Sequence, residues 1–454
     1  MSLPNEIWLD VFAQVEDVPS VKAILSTSRR FRALGLEEAL RSLVWDTADK
    51  THRRLAELLQ SPEKRRIPRM ITMRLGGSKS DGETHFQFDW DSTNLSLARK
   101  PDLHEAMRIR GIGMLANLRT LAISGGTILP YYFDAFRQLR HLNRLRLESC
   151  TICAPHSGAA ADPFGEPDLA VTALELHDVI LCNQIHRMTP HLWQRVQEFT
   201  VSSSTHATAY VEIQAAAFLS HLPNLLSLHV YGVQMDSDVL AWTTLEPPSI
   251  AYMVPLLRSF SGSWRMAMEI VACGIEVAEI RLPEEISVSQ ACELVEGLNP
   301  KNTRVIELVI EACDEGFFRL LPQALPRCEA ISIVYRSGTP TSDTLLRTIP
   351  NHLLRHLPHL TTFRLRPASD ATLLHSIFRR HFQSYSEYMA TLRVFHRDLA
   401  LGRVRQPPPT ESDCFDYVVR WGRANKRLER ISLVPRKEWV RRGTGDQWVL
   451  RIEE

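Results

Sequence analysis

A recurring, gapless pattern of apolar residues constrains this chain more than any other feature. Five segments align: Leu115-Ala-Asn-Leu118-Arg-Thr-Leu121, Leu139-Arg-His-Leu142-Asn-Arg-Leu145, Leu222-Pro-Asn-Leu225-Leu-Ser-Leu228, Leu325-Pro-Arg-Cys328-Glu-Ala-Ile331 and Leu357-Pro-His-Leu360-Thr-Thr-Phe363. Each continues with one more residue and then Ile123, Leu147, Val230, Ile333 or Leu365. That closing alternation has the period of a strand with one buried face. Further copies are read at Val171, Val196, Val305 and Leu428, with degenerate ones near Leu257 and Val277. Starts at 118, 142, 171, 196 and 225 leave room for one short strand and one helix per unit. Helices are expected over 208–221, 287–298, 342–356 and 410–425, the second opening on serine caps and ending at Asn299-Pro300.

Leu142, Leu145, Leu147, Cys150 and Ile152 fill every position of L-x-x-L-x-L-x-x-C-x-L, and Leu118, Leu121, Ile123, Gly126 and Ile128 do so in the copy before. Cys313 falls in the slot of Cys150. The pattern resembles the leucine-rich repeat. The resemblance implies an α/β fold over 106–454: a leucine-rich-repeat solenoid, or horseshoe, whose strands line a concave face. Residues alternating with the leucines stand out from that face. Among them are Arg144, Arg146, Glu148, His177, His229, Tyr231, Arg364 and Arg366, with Glu307, Val309 and Glu311 from the copy at Val305. A nucleic-acid groove is uniformly basic and a lipid groove uniformly apolar, so this mixed lining fits a folded protein or peptide. Arginine and tyrosine are its expected anchors, at Arg144, Arg146, Tyr231, Arg364 and Arg366.

The first fifty residues do not fit the repeat. Ile7, Trp8, Val11, Phe12 and Val15 make one apolar helical stripe, Pro19 opens a second helix, and Leu34 to Trp45 form a third apolar segment. Three short helices cannot bury all of these side chains by themselves, so a partner is expected. Leu3-Pro4-Asn5-Glu6-Ile7, Val11-Phe12, Asp17-Val18-Pro19-Ser20-Val21 and Ser28-Arg29-Arg30-Phe31 resemble the F-box in order and spacing. That resemblance implies a three-helix module over 1–50 that docks on the Skp-type adaptor of SCF ubiquitin ligases. It implies that Leu3, Pro4, Ile7, Val11, Phe12, Val21, Leu25 and Phe31 contribute core and docking surface. Phe31 stands where tryptophan is common in that family, and Lys22 where an apolar residue is common. Residues 51–105 are read as a linker and N-terminal cap of the solenoid. The combination resembles the large fungal branch of F-box proteins with leucine-rich repeats. It implies a non-catalytic adaptor that joins a substrate protein to a cullin–RING ligase; the alternative is a repeat scaffold uncoupled from ubiquitination.

Charge and motifs narrow the rest. The chain has 454 residues and a formal net charge of +1, which gives no reason to expect nucleic acid or an anionic membrane as ligand. The N-terminus lacks a basic flank and is broken by Glu6 and Asp10, so no signal peptide is read, and no apolar run is long enough for a membrane span. A cytoplasmic or nuclear location is expected, with reduced cysteines. From 101 to 425 the only lysine is Lys301, a distribution that spares ubiquitin acceptors or reflects arginine-rich codon usage. Cys150-Thr-Ile-Cys153 lacks a second ligand pair, and His352, His356 and His359 fill repeat slots, so no metal or cofactor is expected. Lys64-Arg65-Arg66 reads as solvated surface. No acid, base and nucleophile converge, and no catalytic residue is nominated. Segments 76–92, 154–168 and 402–409 are read as loops.

Overall fold

In the computed structural model the described residues are 8, 18–45, 48–75, 110–128, 130–152, 169–181, 193–219, 221–233, 254–338, 340–341, 343–368, 411–435, 437–443 and 447–452. The loops read at 76–92, 154–168 and 402–409 lie outside them, as do Leu3, Pro4, Ile7, Val11 and Phe12. The chain divides into two compact units, one of residues 1–206 and 213–225, the other of 207–212 and 226–454.

The first unit opens with α1 (Val18–Thr27) and α2 (Arg29–Arg41), and the Ser28 hydroxyl caps α2 by accepting from the Phe31 N–H at 3.0 Å. The third apolar segment is divided between a helix and a strand. Leu34, Leu36 and Leu40 stay in α2, whereas Ser42–Trp45 leave it as strand β1, pairing in parallel with β2 (Met70–Arg74). Val44 and Trp45 suit a pleated surface, and α2 ends at Ser42 in extended backbone. Between these strands come α3 (Ala48–Leu59) and a 3-10 turn over Lys64–Arg66. Arg65 donates from Nε to the Leu59 carbonyl at 2.7 Å, so this basic triplet includes a cap on the end of α3.

Next come β3 (Thr120–Ser124), β4 (Thr127–Ile128), α4 (Pro130–Gln138), β5 (Arg144–Glu148), β6 (Thr151–Ile152), β7 (Ala173–His177), β8 (Ile180–Leu181) and β9 (Glu198–Ala207). Strands β1, β2, β3, β5, β7 and β9 form one parallel sheet, with Ile71, Leu121, Leu145, Leu174 and Phe199 in register and all at most 1% exposed. Strands β4, β6 and β8 stack beside it as a second, three-stranded sheet. Gly125, Ser149 and Asp178 hold the same turn position in successive repeats, at φ of 70°, 50° and 49°, and each N–H donates to the next strand. The Cys150 thiol just beyond them faces the carbonyls of Ile123, Gly125 and Glu148 at 3.2–3.6 Å, and burial pushes its pKa up to about 12. The thiol therefore anchors a turn and is not a reactive centre. Helix α5 (Thr208–Leu219) gives its residues 213–219 to this unit, where Phe218 packs edge-on to Trp193 and tilted against Phe199.

The second unit runs β10 (Ser227–Val233), β11 (Ser259–Ser261), α6 (Trp264–Ala272), β12 (Glu279–Ile286), α7 (Val288–Gly297), β13 (Val305–Ala312), α8 (Glu315–Ala324) and β14 (Ala330–Ser337). A π-helix (Thr344–Leu353), β15 (Thr362–Pro367), α9 (Glu411–Ala424), β16 (Arg430–Val434), β17 (Lys437–Arg441) and β18 (Trp448–Ile452) complete it. Its sheet is parallel from β10 to β16, and β17 and β18 close it antiparallel. The degenerate copies are full members: Val254, Leu257 and Phe260, then Val277, Ile280 and Leu282, are at most 1% exposed. The copy read at Val305 is displaced by two residues. Register places Ile306 beside Ile280 and Ile331, so its first core position is Thr303, 0% exposed, whose hydroxyl donates to the Val277 carbonyl at 3.2 Å. A buried threonine tied to backbone fills a leucine slot, and so hides the copy from a hydropathy reading. Caps come from Ser263, Ser287 and Asp314, with Ser287 and Gln290 forming a reciprocal capping box.

Within each unit one carbonyl per repeat accepts two successive N–H groups from the next repeat. Arg119 O takes those of Asn143 and Arg144 at 2.8 and 3.0 Å, and Asn143 O those of Thr172 and Ala173. The link recurs at Leu226, Arg258, Ala278, Arg304, Glu329 and Thr361. The terminal hairpin seats against α9 at Gly422, where a Cβ would lie 2.6 Å from both Arg441 Nη2 and Trp448 Cζ2. Gly422→Ala is therefore expected to destabilise the second unit by about 1–3 kcal/mol, seen as a lower urea midpoint at unchanged helix content; an unchanged midpoint would mean the hairpin does not depend on this contact.

Candidate functional site

Alternation in the parallel strands sends the leucines into the core and turns the intervening side chains outward on one sheet face in each unit. In the first unit Arg144 sits between two carboxylates, Nε to Glu175 Oε1 at 3.3 Å and Nη2 to Glu198 Oε2 at 3.8 Å. His177 contacts Glu175 through Nε2 at 3.5 Å and the Ser202 hydroxyl through Nδ1 at 2.6 Å. The hydrogen bond from His177, followed by the nearby arginines, holds the Glu175 carboxyl below its usual range against the opposing effect of burial. Arg146 pairs with Glu148 at 3.1 Å. Glu175, His177 and Ser202 thus form a hydrogen-bonded row across three strands, with Ser202 7% exposed. Toward β1 the same face carries two exposed apolar side chains, Val44 at 58% and Met70 at 40%.

In the second unit the Ser227 hydroxyl meets His229 Nε2 at 2.9 Å, the His229 and Tyr231 rings stack at 6.2 Å, and the Tyr231 hydroxyl donates to Ser261 at 3.0 Å. Arg281 bridges Glu279 at 3.1 Å and Glu307 at 3.6 Å. Arg336 pairs with Glu285, Arg364 with Glu438 at 2.9 Å, and Arg366 Nε donates to the Ser432 hydroxyl at 2.6 Å. The arginines read from sequence as anchors are thus engaged within their own units. Ser261, Glu279, Arg281 and Glu438 belong to the same face but were missed, the first three because their copies are degenerate and Glu438 because it sits in the antiparallel hairpin. Exposed pairs such as Arg144–Glu198 contribute about 0–1 kcal/mol each and leave the face open to exchange of partners.

Of the docking positions read from the N-terminal resemblance, Leu25 and Phe31 are half-buried, and Phe31 lies 4.5 Å from the Trp8 ring. Val21 lies in α1 with its side chain outside the description. His352 and His356 are exposed, and His359 Nδ1 is 3.3 Å from Arg427 Nη1.

One cluster has no signal in the sequence. At the N-terminus of α6 the Ser263 hydroxyl donates to Glu212 and the Trp264 N–H donates to Glu284. Burial pushes the Glu284 pKa up to about 7, lowered by the Trp264 N–H and raised again by Glu212; burial also raises Glu212.

No family model matches this chain, and no curated protein matches it. Among solved structures it is similar to an internalin from Listeria monocytogenes, at 14% identity and a TM-score of 0.27, over 59% of this chain and 80% of that one. No helix among the described residues is long and apolar enough to cross a membrane.

Proposed function

We propose that this chain is the substrate-recognition adaptor of an SCF-type cullin–RING ubiquitin ligase, with the N-terminal module held by a Skp-type adaptor and the outward sheet face holding the target protein. The observation that carries the proposal is the F-box-like order of residues from Leu3 to Phe31 ahead of a leucine-rich body. Ser28 caps α2 at the point where that pattern ends, and Leu25 and Phe31 keep part of their apolar surface accessible. The polar sheet face, made of exchangeable pairs, suits protein recognition. A body with only Lys301 between 101 and 425 offers few ubiquitin acceptors of its own.

A second reading, a repeat scaffold uncoupled from ubiquitination, is favoured by one observation: α2 runs straight into β1, which joins the sheet, as an N-terminal cap would. Co-purification with a Skp-type adaptor separates the two. Under the adaptor reading wild type is captured, while the Leu3→Ala, Pro4→Ala double variant loses at least about tenfold in capture with its repeat body still folded by circular dichroism. Equal capture of both proteins, or of neither, would leave the scaffold reading.

A further inference from the structure

The outward face of the second unit is electrically divided. Strands β12 and β13 present Glu279, Glu285, Glu307 and Glu311 against the single Arg281. Strands β15 and β16 present Arg364, Arg366 and Arg430 and no carboxylate of their own, the Glu438 that pairs with Arg364 coming from β17. Register sets Glu307 beside Ser332 and Ser332 beside Arg364, so the two halves share one row of the sheet. On the intervening β14, Ser332 and Val334 are uncharged; beyond them Arg336 reaches back to Glu285. Neighbouring strands lie about 4.8 Å apart, so about 14 Å separates β12 from β15 and about 19 Å separates β12 from β16.

The geometry points to a partner segment that is itself bipolar: an extended stretch of polypeptide crossing the strands, basic side chains over β12–β13 and acidic side chains over β15–β16. An extended chain rises about 3.3 Å per residue, so its two charge clusters stand about four to six residues apart. Each cluster replaces an intramolecular pair with an intermolecular one, Lys or Arg joining Glu307 beside Arg281 and Asp or Glu joining Arg366 beside Ser432. A uniformly charged polymer would be attracted by one half and repelled by the other, which makes the division a selectivity device. This inference rests on the reading of the sheet face as the partner surface.

The test uses the full chain and a fluorescein-labelled peptide of three lysines and three glutamates separated by a Gly-Ser spacer of about five residues. Its anisotropy titration is compared with all-lysine and all-glutamate peptides, a spacerless bipolar peptide and a single-stranded oligonucleotide. The spaced bipolar peptide is expected to bind at least about tenfold more tightly than every other probe. Glu307→Lys and Arg366→Glu should each weaken it about tenfold and the double variant should weaken it further, while the like-charge replacements Glu307→Asp and Arg366→Lys should bind within about threefold of wild type. Loss on reversal with retention on like-charge replacement has no explanation in misfolding. Equal or tighter binding of any uniform or spacerless probe, or single reversals without effect, would overturn the proposal. The same variants are passed over the Skp-type adaptor. Adaptor capture without peptide binding defeats only this inference, and peptide binding without adaptor capture defeats only the ligase reading.

Discussion

Trp421→Ala is expected to remove about 3–5 kcal/mol from the second unit. The Trp421 side chain is 0% exposed, its ring packs edge-on to Phe363 at 5.3 Å, and its Nε1–H donates to the Leu345 carbonyl at 2.8 Å. Truncation leaves a large cavity between α9, β15 and the π-helix, and leaves the Leu345 carbonyl without that donor. Trp421→Phe keeps much of the volume and loses only the donor, so it should cost about 1–3 kcal/mol. The two variants are compared by urea unfolding followed by circular dichroism, with the first unit as an internal reference. A loss below about 1 kcal/mol for alanine would show that α9 is not seated on the sheet as described.

The second large effect is a dependence on pH. Glu284 holds its proton in the folded chain up to about pH 7, because burial, with Glu212 nearby, outweighs the Trp264 N–H. In the unfolded chain the same carboxyl ionises near its ordinary value of 4.5. The stability it contributes is complete below the unfolded value and is lost as pH rises through the folded one. The gap corresponds to a loss on the order of 3 kcal/mol between about pH 4.5 and 7. Glu212, raised in the same direction, adds to it. Glu284→Gln fixes the neutral form and keeps an acceptor for Trp264. The variant should match wild type at pH 5 and exceed it at pH 8 in urea midpoint. A difference between them that does not change with pH, or that shrinks as pH rises, would sink this assignment.

The leucine-rich body was legible because five copies share one unbroken spacing and each ends in strict alternation. Phe260, Ile280 and Thr303 escaped a clear reading because the core slot accepts any side chain that fills it, including a hydroxyl satisfied by backbone. Strand β2, Met-Ile-Thr-Met-Arg, has Pro68 and Arg65 where the other copies carry leucines ahead of the strand, so the sequence offers little to align. Alternation correctly sent Arg144, Arg146, Arg364 and Arg366 to the sheet face. It could not reveal that Arg144 reaches Glu198 two strands away or that Arg364 reaches Glu438 in a reversed hairpin, since these partners depend on register between segments distant in sequence. The carboxylates of Glu212 and Glu284 are equally invisible in one dimension, being brought together only at the start of α6.

The doubly accepting carbonyl at each repeat junction has a consequence for how such a chain can change in length. Within a unit every repeat is tied to its immediate neighbours by the same link, Arg258 to Ala278 and Glu279, then Ala278 to Arg304 and Val305. Removing or duplicating one whole repeat joins two surfaces that already match, and the carbonyl finds its two donors again. A cut at another phase separates the acceptor from its two donors, and a shift by an odd number of residues also turns the outward side chains of the strand inward. Gains and losses are therefore accommodated as whole repeats, whose starts stand 24 and 29 residues apart at 118, 142 and 171 and 20 apart at 257 and 277. Stability, in turn, is a sum over nearest neighbours, so a lesion in one repeat loosens the two beside it and fades beyond them.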